Sequence, residues 1–90
     1  MAKSNPSTSK INSSLESLAM TIGSLHEDPN NARRHAEYDI GVIAKSLNEY
    51  GQQKPIIATK SGRVIAGNGT LVAARDVLGW SEIAVVTFDD

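Results

Sequence analysis

The stretch Arg63–Thr70, RVIAGNGT, decides how the chain is read. Asn-Gly between apolar runs usually marks a tight hairpin turn. Here the run on the far side is Leu71–Trp80, LVAARDVLGW, with Leu71, Ala74 and Leu78 at helical spacing. The stretch therefore reads as strand, glycine-rich turn, helix start. Gly79 is placed to end the helix and Trp80 to pack back on its last turn. Taken alone, Gly67–Thr70 reads first as a plain turn with Asn68 as the helix N-cap. The other reading is an anion cradle: free backbone N–H groups and the helix dipole converge at such a start, and Thr70 adds a hydroxyl. It is not a P-loop, because the Gly-Lys-Ser/Thr ending is missing.

Working outward, Pro55–Lys60 and Arg63–Gly67 read as two short strands, with Ser61-Gly62 as a two-residue hairpin turn. Glu82–Phe88, EIAVVTF, is nearly continuous apolar and β-branched, which predicts a central strand buried on both faces. Upstream, Ile40, Ile43, Ala44, Leu47 and Tyr50 fall on one helical face, with Asp39 as N-cap and Gly51 at the left-handed C-terminal position. The alternation around Leu18, Met20 and Ile22 predicts a strand near Ser17–Ile22, and His26–His35 reads as a loop. The order β–loop–α–ββ–α–β predicts an α+β domain, two helices packed with one small mixed β-sheet. Residues 1–15, rich in Ser, Asn and Lys, read as a disordered tail, and residues 16–90 as the domain.

The chain has 90 residues and no cysteine, which excludes disulfides and thiol chemistry. No apolar run approaches the roughly 18 residues of a membrane span, and nothing resembles a signal peptide. The formal net charge is −1. Lys3 and Lys10 fall in the expected tail, so the remainder is more acidic still. A duplex-DNA binder usually shows a basic excess. Contact with DNA is therefore expected through an additional domain or partner, while a nucleotide, whose phosphates need few donors, is the easier ligand.

Two further segments carry polar groups. Gly51-Gln52-Gln53-Lys54-Pro55 reads as a helix C-cap and polar loop, whose amides and ammonium suit a base or phosphate. Asn31–His35, NARRH, offers Arg33 and Arg34 for bidentate phosphate contacts, or else is a solvated basic loop. His26, Glu27, Asp28 and His35 match no metal-ligand spacing, so no structural metal is expected. Phosphate chemistry needs a placed acid, base or metal carboxylate, and Glu27 and His35 are the candidates.

Together, NARRH, SLNEYGQQKPIIAT, RVIAGNGTLVAARDVLGW and EIAVV resemble the N-terminal domain of the ParB/sulfiredoxin superfamily, often called the ParB-like nuclease domain. The resemblance covers about residues 16–90 and is nearest to phage and DNA-methyltransferase-associated members. GQQKP looks like the family's Gly-x-x-x-Pro segment, and GNGT stands where partition proteins carry Gly-Glu-Arg-Arg. Arg33 and His35 match an Asn-x-Arg-x-His loop beside the site. The resemblance implies a nucleotide-phosphate pocket formed by Gly51–Pro55 and Gly67–Thr70, a nucleoside triphosphate with Mg²⁺ as ligand, and no tightly bound cofactor.

Two departures are plain. Asn68 occupies the place of the sulfiredoxin cysteine, which excludes that chemistry, and Asn68-Gly69-Thr70 replaces the Glu-Arg-Arg triplet. No motif places the catalytic glutamate of related kinases in this sequence, and Glu27 is offered for it only as a guess. The helix-turn-helix and dimerisation regions of partition proteins do not follow Asp90, so the chain reads as a small stand-alone protein or a fragment.

The expectation is a nucleotide- or phosphate-binding domain in the DNA metabolism of a bacterial or phage-infected cytoplasm. The alternatives are a nuclease, NTPase or phosphotransferase, and a protein-interaction accessory domain of a DNA methyltransferase.

Overall fold

A computed structural model describes residues 9–28 and 37–89, with the side chains of residues 37–39 left out. Five strands form one sheet: β1 (Ala19–Thr21), β2 (His26–Glu27), β3 (Ile56–Thr59), β4 (Arg63–Ala66) and β5 (Glu82–Phe88). Their order is β1-β5-β3-β4-β2. β5 runs antiparallel to β1 and parallel to β3, β3 and β4 form an antiparallel hairpin, and β2 lies parallel to β4. The sheet is thus mixed, as expected, and packs against two helical segments. One is α1 (Glu37–Tyr50); the other is α2 (Asn68–Val72), which runs on through a wider π-helical turn, Ala73–Val77. Among the described residues no helix is long and apolar enough to cross a membrane.

The core follows the sequence periods. α1 buries Ala44 and Leu47, with Ile40 and Ile43 packed alongside, and α2 with its π turn buries Leu71, Ala73 and Ala74. These meet Ile56, Ala58, Val64, Ile83 and Val85 from the sheet. Tyr50 departs from its expected core position: it is 69% exposed, the last residue of α1. Gly41 has nothing within 4 Å of where a Cβ would stand. Gly41→Ala is therefore expected to stabilise the domain by about 0.5–1 kcal/mol through helix propensity alone, read as a higher urea midpoint at unchanged slope.

Helix ends are set by local chemistry. Gly51 (φ +79°) ends α1 and Gly79 (φ +69°) ends the π turn. The Leu78 N–H donates to the Ala73 carbonyl at 3.0 Å and the Trp80 N–H to Ala74 at 2.8 Å, so the buried Trp80 folds back as expected. Asp39 is not the N-cap, because α1 already begins at Glu37.

Four other differences arise where local side-chain bonds or distant pairing override the sequence pattern. β1 is shorter than expected because 3-10 turns, Ser13–Leu18 and Ile22–Ser24, flank it. Asn12 accepts from the Ser14 N–H at 2.9 Å, and the Ser24 hydroxyl donates to the Thr21 carbonyl at 2.8 Å. Such bonds compete with strand pairing. His26–Glu27, expected as loop, becomes β2 when the His26 N–H meets the Gly62 carbonyl. The hairpin loop is three residues, Lys60–Gly62, not two. The Gly62 N–H donates to the Thr59 carbonyl and Gly62 takes φ +99°, while the β3–β4 register slips further along, between Ile57 and Ala58. Lastly, β5 is buried only through Ile83–Val85. β1 pairs with it no further than Ala84, and Val86 and Phe88 are 42% and 41% exposed.

The expected tail also ends earlier than residue 15. The Ile11 backbone bridges Gln52, and the Ser9 hydroxyl accepts from the N–H groups of Ser81 and Glu82. Residues 9–15 therefore lie against the domain, held by polar bonds that composition does not reveal.

Candidate functional site

Two of the sequence-predicted segments meet in one cleft. Its lining comprises Val42, Ile43, Ser46 and Leu47 of α1, Gly51–Lys54 of the following loop, and Thr70 from the first turn of α2, around a volume of about 370 Å³. α1 supplies a largely apolar wall. Among the lining residues Lys54 is the one charged group; it is exposed and has no ion-pair partner among the described residues. The first intrahelical bond of α2 is Leu71 N–H to the Gly67 carbonyl, 2.9 Å. The N–H groups of Asn68, Gly69 and Thr70 thus precede the helical ladder, which is the condition for an anion-favouring helix start.

Within GNGT the four residues have different duties. Gly67 precedes α2 at φ +94°, and a Cβ there would stand 2.8 Å from Ile56 Cβ and still nearer its Cγ2. Asn68 is 1% exposed: its Nδ2 donates to the Val64 carbonyl at 2.8 Å, and its Oδ1 accepts from the Asp28 N–H at 3.0 Å. Its side chain therefore ties β4, α2 and the residue after β2 together, and it is not a side-chain cap, since α2 has none. Gly69 is buried, and Thr70 is the member whose side chain reaches the cleft.

The Gly51–Pro55 loop divides in the same way. Gln52, 1% exposed, behaves as a short extra strand edge against β5. Its Oε1 accepts from the Ala84 N–H at 2.7 Å, and its Nε2 donates to the carbonyls of Ala84 (3.0 Å) and Lys54 (2.9 Å). That amide is committed to the backbone and has no donor left for a ligand. Gln53 is tied on both ends, to the Tyr50 carbonyl at 2.6 Å and to Asn12 Nδ2 at 3.1 Å. Gly51 is buried with Lys10 behind it: a Cβ would sit 2.7 Å from the Lys10 carbonyl oxygen. Pro55 does not line the cleft; it is half-buried immediately before β3.

Of the catalytic candidates, Glu27 is engaged by Arg75, whose Nη2 stands 2.5 Å from Glu27 Oε2. Arg75 also grips Asp76 through Nε at 2.7 Å and Nη2 at 2.8 Å. This holds the Asp76 carboxyl below its ordinary range and raises the guanidinium further, chiefly through the Asp76 hydrogen bond and then the Glu27 bond. Glu27 does not line the cleft. His35, Arg33 and Arg34 lie outside the described residues.

The sequence pointed to the loop and the helix start but not to the α1 wall. Val42 and Ser46, four residues apart beside the buried face, were its one readable trace. Arg75, too, went unnoticed, because its partner Glu27 lies 48 residues away in sequence and only the fold brings them together.

No family model matches the chain. It is similar to the ParB-like nuclease domain-containing protein YnaK of Escherichia coli strain K12, with 31% identity over 45 residues, 50% of the chain and 52% of YnaK. The chain thus spans about half the length of the curated relative it matches. Among solved structures, the Pnob8-like ParB-N domain superposes with a TM-score of 0.65 at 26% identity, covering 80% of this chain and 28% of that one. The C-terminally truncated chromosome-partitioning protein ParB from Caulobacter crescentus, complexed with CTP-γ-S, superposes with a TM-score of 0.70 at 23% identity. It covers 80% of this chain and 43% of its own, and at that identity it speaks for the fold alone. Sequence and fold together relate the chain to the ParB-like, or ParB-N, domain superfamily.

Proposed function

We propose that the cleft between α1, Gly51–Lys54 and Thr70 is a nucleotide-binding site, and that the domain serves DNA metabolism. The observation that carries this reading is the convergence of two segments far apart in sequence on one cleft. The relative complexed with CTP-γ-S supports a nucleotide as the ligand class. The apolar side of α1 suits a base or ribose face, while the Thr70 hydroxyl, the start of α2 and the Lys54 ammonium suit phosphate. Arg33 and Arg34 follow a few residues after Asp28 in sequence, and the Asp28 backbone is pinned to Asn68 at the start of α2. Those arginines are the natural additional phosphate ligands. The cleft lining contains no carboxylate, so Mg²⁺ would arrive on the phosphates of a nucleoside triphosphate.

With Asn-Gly-Thr in place of Glu-Arg-Arg the site has backbone donors and little charge, and binding should be weak. The AGNGT…AA…LGW pattern supports placement among phage or methyltransferase-associated relatives. With a formal charge of −1, contact with DNA falls to an additional domain or partner. The reading assigns no catalytic residue, since Glu27 is held by Arg75 away from the cleft lining.

Calorimetric titration with ATP, GTP and CTP in the presence of Mg²⁺ tests it. Binding should be measurable at millimolar nucleotide. Lys54→Ala and Thr70→Val should each weaken it about three- to tenfold, the range for one lost hydrogen bond or charge contact. No heat at those concentrations, or variants indistinguishable from the unmodified chain, would sink the reading.

A further inference from the structure

The loop that walls the cleft has a second face, and the segment Ser9–Asn12 is fastened to it. The Gln52 N–H donates to the Lys10 carbonyl at 2.7 Å, and the Asn12 N–H donates to the Gln52 carbonyl at 3.0 Å. Asn12 Nδ2 holds Gln53 Oε1 at 3.1 Å, and Ile11 packs against the core. The Lys10 ammonium reaches the last carbonyls of α1, Asn48 at 3.0 Å and Glu49 at 3.4 Å, where the helix dipole favours a cation. On the other side the Ser9 hydroxyl accepts from Ser81 and Glu82, at the entry to β5. The segment therefore spans from the end of α1 across the loop to the start of β5. Gly51 is matched to it, because any side chain there would strike the Lys10 backbone.

We infer that Ser9–Asn12 is a strap that positions Gly51–Lys54 for ligand, so that docking of the strap and occupation of the cleft are thermodynamically coupled. The inference rests on the nucleotide reading of the cleft. Gly51, Gln52 and Gln53 are shared: ligand meets the loop from the cleft and the strap holds it from behind. Ordering the loop by either contact lowers the cost of making the other, and linkage makes the effect reciprocal. Lys10 is the positioning residue that can be changed with least damage, since it is exposed and buries nothing in the core.

The test uses the full chain with Lys10→Glu, which sets a carboxylate against the α1 carbonyls, and Lys10→Arg, which keeps the cation. Without nucleotide, amide exchange at Asn12 and Gln52 should quicken about fivefold or more in Lys10→Glu, with the amides of the β3–β4 hairpin unchanged. Affinity for ATP, GTP or CTP, whichever the unmodified chain binds most tightly, should fall about fivefold or more, the lower end of ordinary coupling. Lys10→Arg should recover both. In the unmodified chain, saturating nucleotide should slow exchange at Asn12 and Gln52. Unchanged exchange at Gln52 in Lys10→Glu would refute the strap. Quickened exchange with unchanged affinity would refute the coupling while leaving the nucleotide reading intact. Absence of any binding by the unmodified chain would instead remove the nucleotide reading and the coupling with it.

Discussion

Gln52→Ala should lower the stability of the domain by about 3–5 kcal/mol, the largest loss expected from a polar position. The side chain is 1% exposed and makes three hydrogen bonds to backbone groups of Lys54 and Ala84. Alanine leaves a cavity and, beside it, the N–H and carbonyl of Ala84 in β5 without these partners. Each unpaired buried group costs roughly 1–3 kcal/mol, against a total stability for a domain of this size of about 5–13 kcal/mol. Urea unfolding checks this: the midpoint should fall steeply while the slope stays constant. Gln52→Glu separates shape from donor pattern. It keeps an acceptor for the Ala84 N–H but turns a carboxylate oxygen toward two carbonyls. Burial and those carbonyls favour the protonated acid, so its folded-state pKa is raised. The folded state then binds more protons than the unfolded one, and the deficit should shrink as pH falls toward that raised pKa. A deficit that deepens on acidification, or a Gln52→Ala midpoint near that of the unmodified chain, would contradict the assigned role.

Gly67→Ala should be of similar size, about 3–5 kcal/mol, for an unrelated reason. The left-handed φ of +94° costs an L-residue roughly 1–3 kcal/mol. The added Cβ also lands against Ile56, a buried residue of β3 with no free space to retreat into, and overpacking of that kind adds typically 1–3 kcal/mol. The companion variant Ile56→Ala divides the two terms, because it removes the Cγ2 against which the added Cβ would press and leaves the backbone strain. In the double variant Gly67→Ala should therefore cost less than it does alone, although Ile56→Ala by itself costs roughly 2–5 kcal/mol. Thermal or urea unfolding of the four chains forms a cycle. Strict additivity would mean that the steric account is wrong.

Both residues stood in segments that the sequence marks as ligand-facing, and this shows what was legible. α1, β3, β4, β5 and the Gly51, Gly79 and Trp80 chain ends follow from apolar period and turn chemistry, which are local properties. So does the choice of the two cleft segments. What a given amide does within them is not local. Gln52 and Asn68 look like ligand groups in the sequence because both are polar and flank glycine. Their partners are backbone groups of Ala84, Val64 and Asp28, brought near only by the completed sheet. β2 was missed for the same reason, since two residues carry no period and its neighbour β4 is remote in sequence. The Val42–Ser46 wall escaped notice because helical periodicity identifies the buried face and is silent about the flank beside it.

The order of the strands bears on how the chain can be made. β1 and β3, both earlier in the chain, are joined only through β5, the last strand of the five. During vectorial synthesis β1 emerges first and waits with no neighbour, while the β3–β4 hairpin forms from adjacent residues and leaves one edge bare. Cooperative closure begins only once Glu82–Phe88 has cleared the ribosome and slides between them. Until then the nascent chain carries an open hydrophobic slot, the width of one strand, which is the form in which it is most exposed to chaperones, proteases and its own copies.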